Sequence, residues 1–298
     1  MKIKELKLSM LVLGTLMPLT LSSCADSEEV TNPEIQAGNA PVSVHVNDFA
    51  ISLDDFPGTR AAEDPSSYTD VKAITLAFYS GPDEVYKATQ TKSGSSSFGN
   101  FSLSLPMGSY TMVVLGYDFF KDDVLLLTSP QSAEFTSDHV RETFSYTDDV
   151  TISSTAAVSL SATLNRIVSE LKIVSTDNKT SNASTVRTTF AAGGKAFNPS
   201  TGLATKNTGF SNTVGASQKV GAPTTSYNYV FLSSDEQAID ITIDVLDAEG
   251  KSISQRTLSD IPLRRNRVTT LRGALYTSNA STSFTLETSW LPDTEITF

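Results

Sequence analysis

The chain has 298 residues, of which 33 are acidic and 22 are lysine or arginine, so its formal net charge is −11 at neutral pH. A surface of that sign repels nucleic-acid phosphates and anionic lipid headgroups, which argues against a nucleic-acid partner. Cys24 is the one cysteine in the sequence, so the chain has no internal disulfide and burial of apolar side chains must hold the fold.

The first 24 residues have the pattern of an export signal. Three lysines within the first seven residues precede an apolar stretch, residues 8–21, that is too short and too interrupted to span a bilayer. The stretch ends in the letters LSSC at residues 21–24, which resemble the lipobox of bacterial lipoproteins. The resemblance implies that residues 1–23 are a signal peptide and that Cys24 carries lipid at the mature N-terminus. An ordinary secretory signal with a chance cysteine is the alternative.

A polar and acidic segment follows Cys24. Its start, ADSEE at residues 25–29, looks like the acidic run that is associated with export of Bacteroidetes lipoproteins to the outer face of the outer membrane. Too few apolar residues follow for a core, so the segment is expected to be a tether. We therefore expect residues 24–60 to comprise a lipid tether and a first strand, and the protein to be anchored at the cell surface.

Most of the remaining chain has the period-two alternation of half-buried strands. Phe101, Leu103 and Leu105 alternate with polar residues, and so do the apolar residues from Ile239 to Val245. Serine, threonine, β-branched and aromatic residues dominate these segments, which favours strands over helices. We predict an all-β protein of antiparallel sandwiches, with a domain boundary at the small polar residues near 153–157.

Four segments resemble the fimbrillins of Bacteroidales, the subunits of type V pili. They are the strand region 42–53, the turn and strand 105–114, the arginine-bearing strand 164–173, and 261–273, where an asparagine and threonines lead into a strand. The resemblance spans nearly the whole mature chain. It implies two tandem antiparallel β-sandwich domains of transthyretin-like type, residues 61–156 and 157–298, in a fimbrial subunit that serves as anchor, stalk or tip.

The first of these segments contains a candidate detachable strand. Its apolar residues alternate in one phase up to residue 46 and in the other from residue 49, which predicts a bulge or turn at residues 47–48. The linker behind it presents Arg60 where fimbrillins are cut by trypsin-like proteases, so the resemblance makes Arg60 and Ala61 the candidate processing site. In that family the cut releases the first strand, and a terminal strand of a neighbouring subunit fills the groove. The candidate residues for strand exchange are Val42, Val44, Val46, Phe49, Ile51, Leu53, Phe284, Leu286 and Trp290.

Two of these residues have simpler interpretations. Arg60 equally suits a solvent-exposed loop, because an anchor subunit of the same family keeps its lipid and escapes cleavage. Trp290 suits plain core packing, which we favour over a role in the donor strand. The sequence does not separate the anchor, stalk and tip roles.

Catalytic and metal-binding chemistry has little support in the sequence. The two histidines, His45 on the polar face of a strand and His139 in a polar stretch, are both expected at the surface. The carboxylate pairs match no calcium-loop spacing. The basic cluster at residues 264–267 is interpreted as a solvated turn. We therefore predict no enzyme activity, no cofactor and no metal site.

A surface glycan-binding lipoprotein is the main alternative, since it would also be β-rich, acidic and lipid-anchored. Exposed aromatic rings bind sugars by stacking, and the candidates are Tyr227 with Tyr229, or Tyr117 with Phe119 and Phe120. The fimbrial interpretation instead predicts three partners: other fimbrial subunits, the outer membrane through the lipid, and a ligand on a host or bacterial surface.

Overall fold

The computed structural model describes residues 38–50, 62–63, 65, 67–120, 123–277 and 285–289. Every secondary-structure element among these residues is a β-strand, as the abundance of β-branched and aromatic residues predicts. In chain order the strands are β1 (Asn39–Ala50), β2 (Ala62–Glu63), β3 (Ala73–Ser80), β4 (Asp83–Thr91), β5 (Asn100–Pro106), β6 (Gly108–Tyr117), β7 (Leu125–Ser129), β8 (Ser132–Phe135), β9 (Thr143–Ile152), β10 (Val158–Arg166), β11 (Ser169–Ser175), β12 (Thr185–Phe190), β13 (Ala196–Phe197), β14 (Phe210–Gly215), β15 (Thr225–Val230), β16 (Glu236–Leu246), β17 (Ser252–Arg264), β18 (Val268–Gly273) and β19 (Thr285–Ser289).

The first sheet has the order β2-β1-β10-β9-β6-β3-β4, with β5 also paired to β1. β10 and β9 share two residue pairs, Asn165 with Ser145 and Arg166 with Phe144. On one side of this short junction lie β5, β1 and β10, and on the other lie β9, β6, β3 and β4. Apolar residues from both groups meet in one core, which we call the first core, so the sheet closes on itself as a sandwich.

A small sheet of order β13-β8-β7 lies against the opposite face of β6 and β3. Ala77 and Tyr79 of β3 point into this second apolar cluster together with Phe135 of β8 and Phe197 of β13. Seven of the eight residues of β3 are buried as a result. Both faces of β3 therefore pack against apolar residues, one against the first core and the other against the second apolar cluster.

The C-terminal strands form a second sandwich. One of its sheets has the order β15-β11-β18-β19 and the other β14-β12-β16-β17. Ile239, Ile241, Ile243 and Val245 of β16 all point into the core between the two sheets, as their spacing predicts. Most ladders between described strands are antiparallel, and β1 with β10 and β11 with β18 are the parallel pairs.

The all-β sandwich class predicted from the sequence is confirmed. β10 belongs to the first sheet, although the expected boundary at residues 156 and 157 assigns it to the second domain; the chain enters the second sandwich after Ile167 and Val168. All described residues lie in one compact unit, so the two-domain division stays a prediction. The described part of the chain holds no helix with the length and hydropathy that crossing a bilayer requires.

Candidate functional site

β1 holds its half of the first sandwich together. Residues 39–45 pair antiparallel with β5, and residues 42–50 pair in parallel with β10. Among the described strands, β5 has no other ladder partner and β10 has only the two-residue junction with β9. Without β1, the backbone N–H and C=O groups along one side of both neighbours would lose their partners.

The candidate exchange residues of β1 that the structure describes all face the first core. Val42, Val44, Val46 and Phe49 each expose 2 % or less of their surface. His45, between two of the valines, is exposed and lies 2.5 Å (Nδ1) from Oδ1 of the asparagine opposite it on β5. The strand therefore presents one apolar face to the core and one polar face to solvent.

A β-bulge at Asn47 keeps Phe49 on the core face. Val46 pairs with Ala162 and Asp48 pairs with Thr163, so Asn47 is the extra residue on β1. The change of phase that the sequence predicts at residues 47–48 is this bulge.

The ring of Phe49 fills space that a glycine leaves open. A Cβ atom on Gly116 of β6 would lie 2.6 Å from Cε1 of Phe49 and 3.3 Å from Cδ2 of Leu164. The ring also packs against Tyr68 and Phe144, with ring centroids 5.6 and 4.9 Å away. A strand that takes the place of β1 therefore needs a large apolar residue at this position.

Behind Phe49 lies a buried polar group, Tyr68, Glu142 and Arg166, which we call the Arg166 cluster. Nη2 of Arg166 lies 2.5 Å from Oε1 of Glu142 and donates to the hydroxyl oxygen of Tyr68 at 2.7 Å. Tyr68 donates its own proton to Oε1 of Glu142 at 2.6 Å. The guanidinium carbon of Arg166 lies 4.9 Å from the ring centroid of Phe144. These contacts fix the end of β10 against the start of β9.

Burial governs the protonation of the Arg166 cluster. Burial raises the pKa of the Tyr68 phenol, which therefore remains a hydrogen-bond donor. Burial also raises the pKa of Glu142, and Arg166 and Tyr68 oppose that rise by stabilising the carboxylate. Because the three side chains bond to one another in the interior, they hold strands in place rather than present a reactive group to solvent.

The chain leading to the last described strand is fixed by Asp177. Its carboxylate oxygens accept hydrogen bonds from the backbone N–H groups of Leu275, Tyr276 and Thr277, at 2.8, 2.9 and 2.9 Å. β19 then pairs with β18, and β18 is its one ladder partner among the described strands. β19 is thus an end strand of its sheet, and Asp177 holds residues 275–277, which precede it in the chain.

A comparison with protein families matches residues 39–297 to DUF6562, described as a family of unknown function. The chain belongs to the DUF6562 family. No curated protein matches this DUF6562 chain.

Several solved structures align with most of the DUF6562 chain. A candidate adhesin of Bacteroides ovatus is 11 % identical, with a TM-score of 0.52 over 86 % of this chain and 97 % of that one. The fimbrial anchor protein Mfa2 of Porphyromonas gingivalis is 10 % identical, with a TM-score of 0.49 over 84 % of this chain and 97 % of that one. A candidate adhesin of Bacteroides ovatus ATCC 8483 is 12 % identical, with a TM-score of 0.47 over 83 % of this chain and 88 % of that one. At 11 % identity, the likeness to the first protein is one of fold.

Several candidate residues lie outside the described residues. They are the lipidation candidate Cys24, the processing candidates Arg60 and Ala61, and the exchange candidates Ile51, Leu53, Phe284 and Trp290. Leu286 is described by its backbone, which pairs with Leu271 in the ladder of β18 and β19. The roles of all these residues stay predictions.

Neither aromatic set considered for sugar stacking forms a platform. Tyr117 is buried and Phe119 packs against the second apolar cluster, whereas Phe120 is 58 % exposed. Tyr229 packs against the same cluster, whereas Tyr227 is 53 % exposed. Each set thus presents one exposed ring rather than a stacking surface.

The histidines do not take part in any clustered site. His45 is exposed, as expected, but His139 is half-buried because it lies in the turn before the buried Val140. Within the described residues, no three His, Cys, Asp or Glu side chains are placed to hold a metal ion.

Sequence reasoning missed the Arg166 cluster. Tyr68 is separated by 74 positions from Glu142 and by 98 from Arg166, so no local motif joins them. One signal was available: Arg166 continues the inward phase of Ala162 and Leu164 in β10. An arginine in the apolar phase of a strand indicates a buried charge with a partner.

Proposed function

We propose that this chain is a structural subunit of cell-surface fimbriae, and that assembly replaces β1 by a strand from a neighbouring subunit. The observation that carries the proposal is the position of β1. It is the main ladder partner of both β5 and β10, and its apolar residues fill the first core. It also lies directly before the linker that contains Arg60.

Removal of β1 would destabilise the first sandwich. The free energy recovered when another strand takes its place would drive assembly. Full burial of one valine or phenylalanine side chain contributes roughly 1.5–3 kcal/mol. Val42, Val44, Val46 and Phe49 all lose that contribution if β1 leaves. The unpaired edges of β5 and β10 add to it. A donor strand with matching apolar alternation recovers both terms.

The proposed donor is the C-terminal segment around β19. Phe284, Leu286 and Trp290 give it apolar residues, and β19 pairs with a single described strand. An end strand is released at lower cost than a central one, because only one ladder is broken. The hydrogen bonds of Asp177 would hold the preceding chain in its own subunit.

The proposal includes export and a surface location. Residues 1–23 act as the signal peptide and Cys24 as the lipid attachment point in the outer membrane. The description of the Bacteroides ovatus structure as a candidate adhesin agrees with a role at the cell surface. The partners are other fimbrial subunits and a ligand on a host or bacterial surface.

Cleavage at Arg60 is the step to test first. Surface material sheared from cells carrying the wild-type chain should begin at Ala61 and form ladders on gels run without boiling. Arg60→Ala should abolish both the Ala61 start and the ladders, because the first strand then remains covalently in place. Intact mass and N-terminal sequencing give the start, and the gel gives the assembly state.

The matched control is Lys219→Ala, which removes an exposed basic residue from the turn between β14 and β15, far along the chain from the linker. It should leave the ladders unchanged. Ladders that persist in Arg60→Ala would exclude cleavage there as the trigger. A wild-type chain that starts at lipidated Cys24 and occurs in membranes alone would assign the anchor role instead of stalk or tip.

A further inference from the structure

The space that the ring of Phe49 fills beside Gly116, which we call the Gly116 socket, is the most restrictive part of the place of β1. A Cβ atom on Gly116 would lie 2.6 Å from Cε1 and 3.2 Å from Cζ of the ring. Gly116 does not have a positive φ, so its backbone conformation is open to other residues. The glycine is therefore required for the space that its missing side chain leaves to a ring from the neighbouring strand.

The walls of the Gly116 socket are aromatic, with oxygen atoms behind them. Tyr68 and Phe144 pack against the ring of Phe49 and against each other. The hydroxyl of Tyr68 and the carboxylate of Glu142 belong to the Arg166 cluster behind this space. A buried tryptophan needs a hydrogen-bond acceptor for its indole N–H. The socket holds phenylalanine in this structure, and the oxygens of the cluster also suit tryptophan.

β10 sets the spacing that a strand in the place of β1 must match. The residues that β10 directs towards the first core are spaced by two: Val158, Leu160, Ala162 and Leu164. β1 meets them with residues 42, 44, 46 and 49, because the bulge at Asn47 adds one position. A strand without a bulge therefore needs four inward residues spaced by two, and the fourth must carry the ring that enters the socket.

The C-terminal segment has this pattern in one register. Four of its residues are spaced by two and end in the one tryptophan of the chain: Phe284, Leu286, Thr288 and Trp290. Aligned with β10 in the direction of β1, they lie opposite residues 158, 160, 162 and 164, so the indole enters the socket. A shift of two positions would place either Pro292 or Thr288 there. Neither carries a ring of the required size, so the socket would be left partly empty.

We propose that Trp290 of a second copy of this chain fills the Gly116 socket when the C-terminal segment of that copy replaces β1. The inference rests on the proposed function, and it adds the register of the exchanged strand and the two positions that select the donor. The sequence favours core packing for Trp290, and in this proposal that core belongs to the neighbouring subunit.

An exchange of side-chain volume between the two positions tests the register. Gly116→Val combined with Phe49→Val fills the socket from β6 and lets the chain's own β1 still fit, whereas Trp290→Val removes the incoming ring. Each of these full-length variants should reduce the ladders on gels run without boiling by about tenfold or more, since overpacking and cavities both destabilise a core. The three substitutions together should restore at least about half of the wild-type ladders, because contacting residues are not additive.

Two further variants are informative without any change in the socket. Trp290→Phe should keep most of the ladders, because the socket already holds the ring of Phe49. Leu291→Val is the matched control, since residue 291 lies on the opposite face in this register and should not affect the ladders. The same samples after boiling give the amount of each chain, which separates failed assembly from failed folding.

The outcomes separate this inference from the proposed function. Wild-type ladders in Trp290→Val, equal losses in Trp290→Phe and Trp290→Val, or loss of the ladders in Leu291→Val would overturn the register and leave strand exchange in place. Failure of the triple variant to recover ladders, with its chain present at the wild-type level, would do the same. Absence of ladders from the wild type would overturn the proposed function and this inference with it.

Discussion

Arg166 and Glu142 form an ion pair whose side chains expose 3 % and 6 % of their surface. The attraction within such a pair is largely offset by the lost hydration of both groups. Removal of one member leaves the other charged and unpaired in the interior. Arg166→Met should therefore lower the free energy of unfolding by about 3–5 kcal/mol, measured by urea denaturation.

A double variant separates charge from packing at this position. Arg166→Met combined with Glu142→Gln removes the uncompensated carboxylate, so it should recover roughly half of the loss or more. A double variant as unstable as Arg166→Met alone would show that the arginine acts through its packing on Phe144 instead of through its charge.

Glu170 is a second buried carboxyl, at the start of β11. Burial raises its pKa above the ordinary 4.5; a hydrogen bond from Tyr229 opposes the rise and the charge of Glu142 adds to it. The folded protein therefore holds this proton more tightly than the unfolded chain does. Its contribution to stability is complete below 4.5 and is lost as the pH rises through the raised pKa.

Thermal unfolding of the wild type and of Glu170→Gln measures this effect. On acidification from neutral pH to 4.5, the Tm of the wild type should rise relative to that of the variant, which cannot take up the proton. Glu249→Gln, in the exposed turn after β16, serves as the control and should keep a constant offset from the wild type. An offset for Glu170→Gln that does not change with pH would refute the assignment.

The residues of the Arg166 cluster show where sequence reasoning ends at this scale. The phase of β10 indicates that Arg166 points inward, but its partners come from the segment before β3 and from β9. Only the closure of the sheet at the short junction of β10 and β9 brings them together. Periodicity within one strand predicts burial, and it carries no information on which distant strand supplies the counter-charge.

At the scale of the strand, β1 should be the most sensitive element of the first sandwich. Phe49→Ala removes a fully buried ring and leaves a cavity between Gly116, Tyr68 and Phe144. The free energy of unfolding should fall by about 3–5 kcal/mol. Urea unfolding should also show that Ser43→Ala, on the solvent-facing side of the same strand, stays within about 0.5 kcal/mol of the wild type. Equal effects of the two substitutions would mean that β1 is not part of the core in solution.

The strands themselves were largely predictable, whereas their partners were not. The alternation in β5 and β16 and the phase change in β1 all correspond to observed strands and a bulge. The second buried face of β3 depends on the small sheet, whose strands are supplied by residues 125–135 and 196–197. The parallel pairing of β1 with β10 joins segments about 115 positions apart. The alternation within a strand predicts which of its residues face the core. The pairing and stacking of sheets depend on contacts between distant segments, which no local pattern in the sequence indicates.

For the whole molecule, the distribution of charge is as informative as its total. The arginines at 264, 265 and 267 form the turn that the sequence analysis expected, but this turn also lines a cleft with Arg166 of the first sheet. The convergence requires both sandwiches, because Arg166 ends β10 and the turn joins β17 to β18. Three of these four arginines are paired with carboxylates, Arg166 with Glu142, Arg264 with Glu236 and Arg265 with Asp235, so the fold itself uses most of this positive charge.

Attachment of the whole protein to the membrane is the remaining prediction. If Cys24 is lipidated, the acyl chains contribute about 0.8 kcal/mol for each buried methylene, and two or more chains give stable anchoring. The wild-type chain should therefore partition into the detergent phase of a Triton X-114 extraction, and Cys24→Ala should move to the aqueous phase.

Ser23→Ala is the matched control, because it changes the neighbouring position and keeps both a small residue before the cleavage point and the cysteine itself. It should still enter the detergent phase, with an intact mass that corresponds to lipid on Cys24. Retention of Cys24→Ala in the detergent phase would remove the lipoprotein assignment. The strand-exchange proposal would survive that result, because the position of β1 between β5 and β10 does not depend on how the chain is tethered.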